Sequence, residues 1–188
     1  MRSSNPQQIL EKLEKIEPGA SFSGSPPRVT SSSGALYYVK TGSVRDAEQY
    51  AGEAESLEVT NKAAPSLAPN ILDSGVDESG SPYFISEYKD IGSLSSSAAD
   101  VLAKRMATEL HAEENPSGKG FGFRIPTYCG VARLQNGWFE RWHDCYGSLI
   151  GDLVSQLERK GGFPELCRKV DIVKEKYVYR HSANCQHY

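Results

Sequence analysis

The sequence lacks long apolar runs, paired cysteines and an excess of positive charge, and each absence excludes a class of protein. No stretch of about 18 consecutive apolar residues occurs, so the sequence predicts no membrane span. The net charge is −3, with 21 basic against 24 acidic residues, which argues against a protein that binds nucleic acid phosphates. The four cysteines form no C-x-x-C pair, so a zinc site has little support. These absences do not exclude a nucleotide-binding site, because one well-placed lysine is sufficient to bind its phosphates.

The N-terminal segment does not have the pattern of a secretory signal. Its apolar residues between positions 9 and 16 are spaced along one helical face and are interrupted by charges, whereas a signal peptide gathers them into one block. Cysteines in a chain without such a signal are expected to be reduced thiols. The sequence therefore predicts a cytoplasmic protein, and its 38% hydrophobic content predicts a packed core.

The predicted elements are β-rich first and helical afterwards. Patterning predicts a helix at 6–16, a loop or poorly formed hairpin at 20–35, a strong strand at 35–40, a helix at 43–61, strands at 70–75 and 82–88, and helices at 98–113 (capped by Ser97), 138–157 and 165–177. This order predicts an α+β protein with two lobes. The predicted boundaries are a β-rich lobe at 1–88, a linker at 89–97, a partial helical lobe at 98–178 and a frayed tail at 179–188.

Three features in the first lobe follow the order of a kinase nucleotide site. Lys40 ends the strong strand, Glu53 lies in the next helix, and the segment from Glu87 to Lys89 leads into the linker. In kinases a strand lysine contacts the α- and β-phosphates of ATP and a helix glutamate holds that lysine in place. The backbone of the linking segment would pair with adenine. Each residue alone is typical of a solvated surface, and only their order and spacing favour the site.

Several short motifs carry a family resemblance. They are YYVK (37–40), GEAESLE (52–58), FISEY (84–88), the Leu110-His111 pair, KGFGF (119–123), TYCG (127–130) and NGWFERW (136–142). In this order, over about residues 36–150, they resemble the fructosamine-3-kinase (ketosamine-3-kinase) family. The resemblance implies a protein-kinase-like fold and the use of ATP with magnesium. It also implies phosphorylation of the sugar C3 hydroxyl in ketosamines, either glycated protein lysines or small ketosamines, as a deglycation step.

The chain departs from the family pattern in two places. The glycine-rich turn that covers the phosphates is replaced by a segment with Pro26 and Pro27, which have no amide hydrogen to donate. The family's H-G-D-L-W catalytic loop and its later magnesium-binding aspartate do not occur in this sequence. We therefore predict a truncated chain with no catalytic aspartate, no metal ligands and no useful activity. His181, Cys185 and His187 near the end are interpreted as solvated residues and not as a metal site.

Two other functions remain open. One is a non-catalytic, pseudokinase-like fragment that binds a nucleotide or a partner, and the other is a small-molecule kinase similar to aminoglycoside phosphotransferases. Trp138 and Trp142, four positions apart on the predicted helix 138–157, are expected to fill the core of the second lobe. An incomplete second lobe would leave apolar faces of the helices at 98–112 and 138–157 uncovered, so self-association is also expected.

Overall fold

The structure is a computed structural model that describes residues 6–115, 118–174 and 176. The chain divides into two compact units, Met1–Glu113 and Glu114–Tyr188. The α+β class and the kinase-like fold predicted from the sequence are confirmed. The helix that starts near residue 96 belongs to the first unit, and the linker at 89–97 stays a prediction. The predicted tail at 179–188, with its three candidate metal ligands, lies outside the described residues.

The described part of the first unit contains a five-stranded antiparallel sheet. Its strands are β1 (Phe22–Ser25), β2 (Arg28–Ser31), β3 (Leu36–Thr41), β4 (Ile71–Val76) and β5 (Pro82–Glu87), in the order β1-β2-β3-β5-β4. The three strands predicted at 35–40, 70–75 and 82–88 are confirmed. The segment 20–35, predicted as a loop or a poor hairpin, forms the hairpin β1–β2 with the two prolines at its turn.

One face of this sheet packs against helix α1 (Pro6–Ile16). Ile9 and Leu13, one turn apart on α1, are buried against apolar residues of three strands. The strand residues in this core are Val29, Tyr37, Val39, Tyr83 and Ile85. Because successive side chains of a strand point to opposite faces, Tyr38 and Lys40 lie on the other face of β3.

Tyr37 is a buried polar residue of this core. Its hydroxyl donates to the Glu17 carboxylate at 2.7 Å, so the one hydrogen-bond donor of this side chain has a partner. Burial, reinforced by the negative Glu17, raises the pKa of Tyr37 to about 12. The folded state therefore keeps this proton to a higher pH than the unfolded chain, whose tyrosines ionise near pH 10.

The first prediction concerns alkaline stability. A group whose pKa is raised on folding contributes less stability as the pH rises from its unfolded pKa to its folded pKa. The free energy of unfolding should thus decline between about pH 10 and about pH 12, and Tyr37→Phe should make that decline shallower in urea titrations. Some decline should remain, because burial also raises the pKa of Tyr50 and Tyr83. An unchanged slope in Tyr37→Phe would contradict the prediction; Tyr146→Phe, at an exposed tyrosine of the other unit, is the control.

Helix α2 (Ala47–Ala63) covers the face of the sheet that carries Lys40. It follows a 3₁₀ turn, Val44–Asp46. The Asp46 carboxylate accepts hydrogen bonds from the Ser43 amide and hydroxyl, each at 2.8 Å, and these bonds lower the pKa of Asp46. This cap fixes where the helix begins. Gly52 and Ala54 are the buried residues of this helix.

Helix α3 (Ser96–Arg105) closes the first unit. Its N-cap is Ser95, whose hydroxyl accepts from the Ala98 amide at 3.2 Å, so the prediction of Ser97 as the cap is wrong. The helix continues as a π-helical segment, Met106–Leu110. Arg105 fixes this segment, since its guanidinium bonds to Glu109 at 2.7 Å and to the Pro65 carbonyl at 2.7 Å.

The described part of the second unit is not purely helical, so the prediction of helices alone after Ser97 is wrong. It contains four short strands, β6 (Phe121–Phe123), β7 (Thr127–Cys129), β8 (Ala132–Leu134) and β9 (Gly137–Phe139), paired as β6–β9 and β7–β8. Glycine makes the first pairing possible: a Cβ at Gly122 would lie 1.8 Å from the Gly137 carbonyl oxygen. The glycines of the KGFGF motif thus allow two backbones to approach closely.

The two tryptophans do not share a helix. Trp138 lies in β9, and Trp142 is the first residue of helix α4 (Trp142–Lys160). Trp142 is 55% exposed, so the expectation that it fills a core is wrong for the described residues. Helix α4 packs against helix α5 (Pro164–Val173), and each contributes one buried cysteine, Cys145 and Cys167.

The composition predicts reduced cysteines and no membrane span. Cys129, Cys145 and Cys167 are free thiols, and burial raises the pKa of Cys145; the remaining cysteine lies outside the described residues. None of the helices in the described ranges combines the length with the apolar character that a membrane span needs.

Candidate nucleotide site

Lys40 and Glu53 form a direct ion pair in the first unit. The Lys40 Nζ lies 2.5 Å from the Glu53 Oε2, so the contact expected from the order of strand, lysine, helix and glutamate is present. Strand β3 and helix α2 bring the two groups together, because the helix lies over the sheet face to which Lys40 points. Both side chains are about a third exposed, 31% for Lys40 and 38% for Glu53. The lysine is therefore held in place and still reachable by a ligand.

Two aromatic rings complete the surroundings of Lys40. Its Nζ lies 4.9 Å from the ring centroid of Tyr50 and 5.6 Å from that of Phe84. An ammonium within about 6 Å of an aromatic face is attracted by the ring quadrupole. Phe84 is only 2% exposed and also contacts the rings of Tyr38 and Tyr50. The rings and the carboxylate together restrict the directions in which the Lys40 amine can point.

Sequence reasoning missed both aromatic residues. Tyr50 could have been found, because it precedes Glu53 by three positions on the same helix and residues at that spacing share a face. Phe84 could not, because its place beside Lys40 depends on the β3–β5 register, in which the two residues are directly paired. Cross-strand partners of this kind contact each other on one face of a sheet.

The segment predicted to pair with adenine has most of its amides in use. The Glu87 amide donates to the Asn70 carbonyl at 3.1 Å and the Tyr88 amide to the Leu36 carbonyl at 3.2 Å. The Glu87 carbonyl accepts from the Ser86 hydroxyl at 3.2 Å. Within the described residues, the Lys89 amide has no hydrogen-bond partner. Lys89 is thus the residue of this segment whose backbone can donate to a base.

The side chains of Glu87 and Lys89 bind each other. The Lys89 Nζ lies 2.7 Å from the Glu87 carboxylate, which also accepts from the Asn70 amide at 3.0 Å. The hydrogen bond from Lys89, with a smaller contribution from Asn70, lowers the pKa of Glu87. This pair lies at the start of the predicted linker, and each charge already has an opposite charge beside it in the protein.

The hairpin turn beside Lys40 holds the two prolines. The Val39 amide donates to the Pro27 carbonyl at 2.9 Å, which places the turn next to the end of β3. Neither proline can donate an amide hydrogen to a phosphate. The residue after the turn, Arg28, lies opposite Tyr38 in the register of β2 and β3, and its guanidinium is 5.2 Å from the ring centroid of Tyr88. Arg28 is a cation on this face that sequence reasoning also missed.

The described residues do not offer a magnesium site. They contain no group of three or more His, Cys, Asp and Glu side chains that could hold a metal ion, whereas kinases bind magnesium through a dedicated aspartate and a second oxygen ligand. Two aspartates of the second unit already have partners: Asp144 binds Arg141 at 2.9 Å and Asp152 accepts from the Gln135 amide at 2.7 Å. The residues of the described ranges do not fit this ion.

Comparisons with known proteins match the chain to one family and to two solved structures. The fructosamine kinase family model matches residues 11–180. Among solved structures, the putative fructosamine-3-kinases of Haemophilus somnus 129PT and Thermobifida fusca YX-ER1 have the same fold. The first has a TM-score of 0.65 and 19% identity over 89% of this chain; the second has a TM-score of 0.66 and 18% identity over 91%. A search of curated proteins finds no match.

The match covers only part of the related structures. The chain spans 59% of the Haemophilus protein and 61% of the Thermobifida protein. At this level of identity the likeness shows the fold, while the family match extends over nearly the whole chain. The chain therefore belongs to the fructosamine kinase family.

Proposed function

We propose that this chain binds ATP on the Lys40 face of its five-stranded sheet, as the nucleotide-binding part of a ketosamine kinase. The observation that carries the proposal is the 2.5 Å pair between Lys40 and Glu53. In this fold a lysine held by a helix glutamate is the group that neutralises the α- and β-phosphates. A lysine restrained by a carboxylate and two aromatic rings needs little reorganisation when the phosphates arrive.

The end of the proposed site that would bind the adenine base is at residues 87–89. The Lys89 amide is the donor proposed to bind adenine, since the amides of Glu87 and Tyr88 serve the sheet. Arg28, stacked over the Tyr88 ring, stands at the same end. A guanidinium plane can stack on a purine as it does on an aromatic side chain.

The proposed acceptor class is the ketosamine. In the family reaction the sugar C3 hydroxyl oxygen forms a bond to the γ-phosphorus of ATP, the bond from that phosphorus to the bridging oxygen of ADP breaks, and the hydroxyl proton passes to a base. The family match supports ketosamines over aminoglycosides as acceptors. Protein-bound and small ketosamines are both proposed, and a cytoplasmic location stays a prediction.

We propose that this polypeptide binds nucleotide without transferring phosphate. It has no H-G-D-L-W loop, and its described residues hold no cluster of metal ligands. This is the non-catalytic alternative applied to this polypeptide. Exposed apolar residues support the related proposal of self-association, among them Val101 on α3 at 60% and Trp142 on α4 at 55% exposure.

The second prediction tests the nucleotide site. Titration calorimetry with ATP should show saturable binding by the unaltered chain, and Lys40→Met should lower the affinity by about 10- to 100-fold, because a charged hydrogen bond to phosphate is worth about 1.5–3 kcal/mol. Lys62→Met is the matched control, since Lys62 is an exposed lysine in the last turn of α2. Equal affinities of the unaltered chain and Lys40→Met, or no ATP binding by the folded chain, would refute the proposed site.

A further inference from the structure

We propose that Tyr50 is the positioning residue that keeps Lys40 and Glu53 aligned for the phosphates of the nucleotide. The inference rests on the proposed ATP site and adds a residue that acts through Lys40. Its basis is a set of contacts that attach one turn of helix α2 to the end of strand β3.

The first contact is a hydrogen bond between the helix and the strand. The Tyr50 hydroxyl donates to the Thr41 carbonyl at 2.7 Å, and Thr41 directly follows Lys40 on β3. The strand end that carries the lysine is thereby attached to the helix that carries the glutamate. A hydrogen bond of this kind stabilises the packing of the helix on the strand end.

The second contact is a close fit between the tyrosine ring and a glycine. A Cβ at Gly42 would lie 2.8 Å from the Tyr50 Cζ, which is closer than such carbons approach. The ring therefore occupies the space that any other residue at position 42 would need for its side chain. The fit fixes the distance of α2 from the strand end in a way that a hydrogen bond alone does not.

The third contact links the tyrosine to the ion pair. Tyr50 and Glu53 are three residues apart on α2 and share a helix face. The Lys40 amine is close to both, 4.9 Å from the ring centroid of Tyr50 and 2.5 Å from the Glu53 carboxylate. If α2 moved outward, the carboxylate and the ring would leave the lysine together, so the anchoring of Tyr50 and the geometry of the pair depend on each other.

The hydroxyl keeps its donor role at neutral pH. Burial raises the pKa of Tyr50, and the negative charges of Asp46 and Glu53 act in the same direction. The phenol is therefore protonated wherever ATP binding would be measured, and its bond to the Thr41 carbonyl persists.

The test compares two substitutions in two backgrounds. Tyr50→Phe removes the hydroxyl and keeps the ring, and Tyr50→Leu removes both. We expect calorimetry to show a loss of ATP affinity of about 3- to 10-fold for Tyr50→Phe, which is the loss of one neutral hydrogen bond, and a larger loss for Tyr50→Leu. Adenosine, which has no phosphate, should bind with equal affinity to the unaltered chain, to Tyr50→Phe and to Tyr50→Leu. In a Lys40→Met background both substitutions should leave ATP affinity unchanged, because a residue that acts through Lys40 has no effect without it.

Two results would overturn the inference. One is an equal loss of affinity for ATP and for adenosine in the Tyr50 variants. The other is a loss of ATP affinity from the Tyr50 substitutions that is as large in the Lys40→Met background as in the unaltered chain. Either result would assign Tyr50 a general structural role. Tyr146→Phe, at an exposed tyrosine, should behave as the unaltered chain in every titration.

A ligand-free measurement separates this inference from the ATP proposal. The coupling between Lys40 and Glu53 is obtained from the urea midpoints of Lys40→Met, Glu53→Gln and the double variant. This coupling should shrink toward zero when the same cycle is repeated with Tyr50→Phe or Tyr50→Leu. An undiminished coupling would refute the role of Tyr50 even if ATP binds, and a diminished coupling would support it even if ATP does not bind.

Discussion

The chain incubated with ATP, magnesium and a fructosamine-bearing amine should form no 3-phosphate above the uncatalysed background. Phosphoryl transfer depends on positioning and on charge stabilisation by a lysine, metal ligands and a base aspartate. This polypeptide keeps the lysine and its glutamate, while the catalytic-loop motif does not occur in its sequence. Loss of one such electrostatic group commonly costs about 10²- to 10³-fold in rate. The combined loss is not the product of the single losses, but it should still leave turnover near background.

The assay has an internal control and a clear contrary result. A family member that contains the H-G-D-L-W loop should form the 3-phosphate under the same conditions. Turnover by this chain that disappears in Lys40→Met would contradict the prediction. It would mean that an aspartate such as Asp144, Asp152 or Asp171 has taken the role of base or metal ligand, although the first two already have protein partners.

Phe84→Ala should destabilise the chain by about 3–5 kcal/mol, the usual cost of removing a buried phenylalanine. Phe84 is 2% exposed and is among the largest fully buried side chains of the described residues. Its ring supports Tyr38, Tyr50 and the Lys40 ammonium, so the cavity would open directly beside the proposed phosphate site. Domains of this size have a free energy of unfolding of about 5–15 kcal/mol. The variant should therefore lose a large part of its free energy of unfolding.

Chemical denaturation monitored by circular dichroism measures this effect. Phe121→Ala is the matched control, because Phe121 is 41% exposed and its removal should cost much less. Equal denaturation midpoints for Phe84→Ala and the unaltered chain would contradict the proposed packing around Lys40.

The sequence predicted the parts of the site that depend on local order. Lys40 ends a strand of β-branched and aromatic character, and Glu53 follows in a helix whose start is marked by Ser43 and Asp46. Their contact follows from the way a helix packs on the adjacent sheet face. The sequence offered the whole segment 87–89 as the adenine-binding backbone. It could not indicate that the amides of Glu87 and Tyr88 donate to Asn70 and Leu36, because those bonds depend on which strands flank the segment.

Features that depend on register or on close backbone approach were not predictable in the same way. Phe84 faces Lys40 because of strand pairing, and Arg28 reaches Tyr88 across the sheet. The four strands at 121–139 are three residues long, and two of them include glycine. Alternation of polar and apolar residues gives no signal over such short lengths. Trp138 was assigned to a helix because its spacing from Trp142 matches one helical turn as well as it matches a strand followed by a helix.

Acylation by an acyl-phosphate analogue of ATP tests most directly whether this chain holds a nucleotide against Lys40. In such a probe the terminal phosphate carries an acyl group; a nearby lysine amine forms an amide with the acyl carbon, the acyl–phosphate bond breaks and ATP leaves. We expect mass spectrometry to find the acyl group on Lys40, and we expect excess ATP to prevent this labelling. Labelling of exposed lysines such as Lys62 and Lys104 without protection by ATP, and none on Lys40, would contradict it.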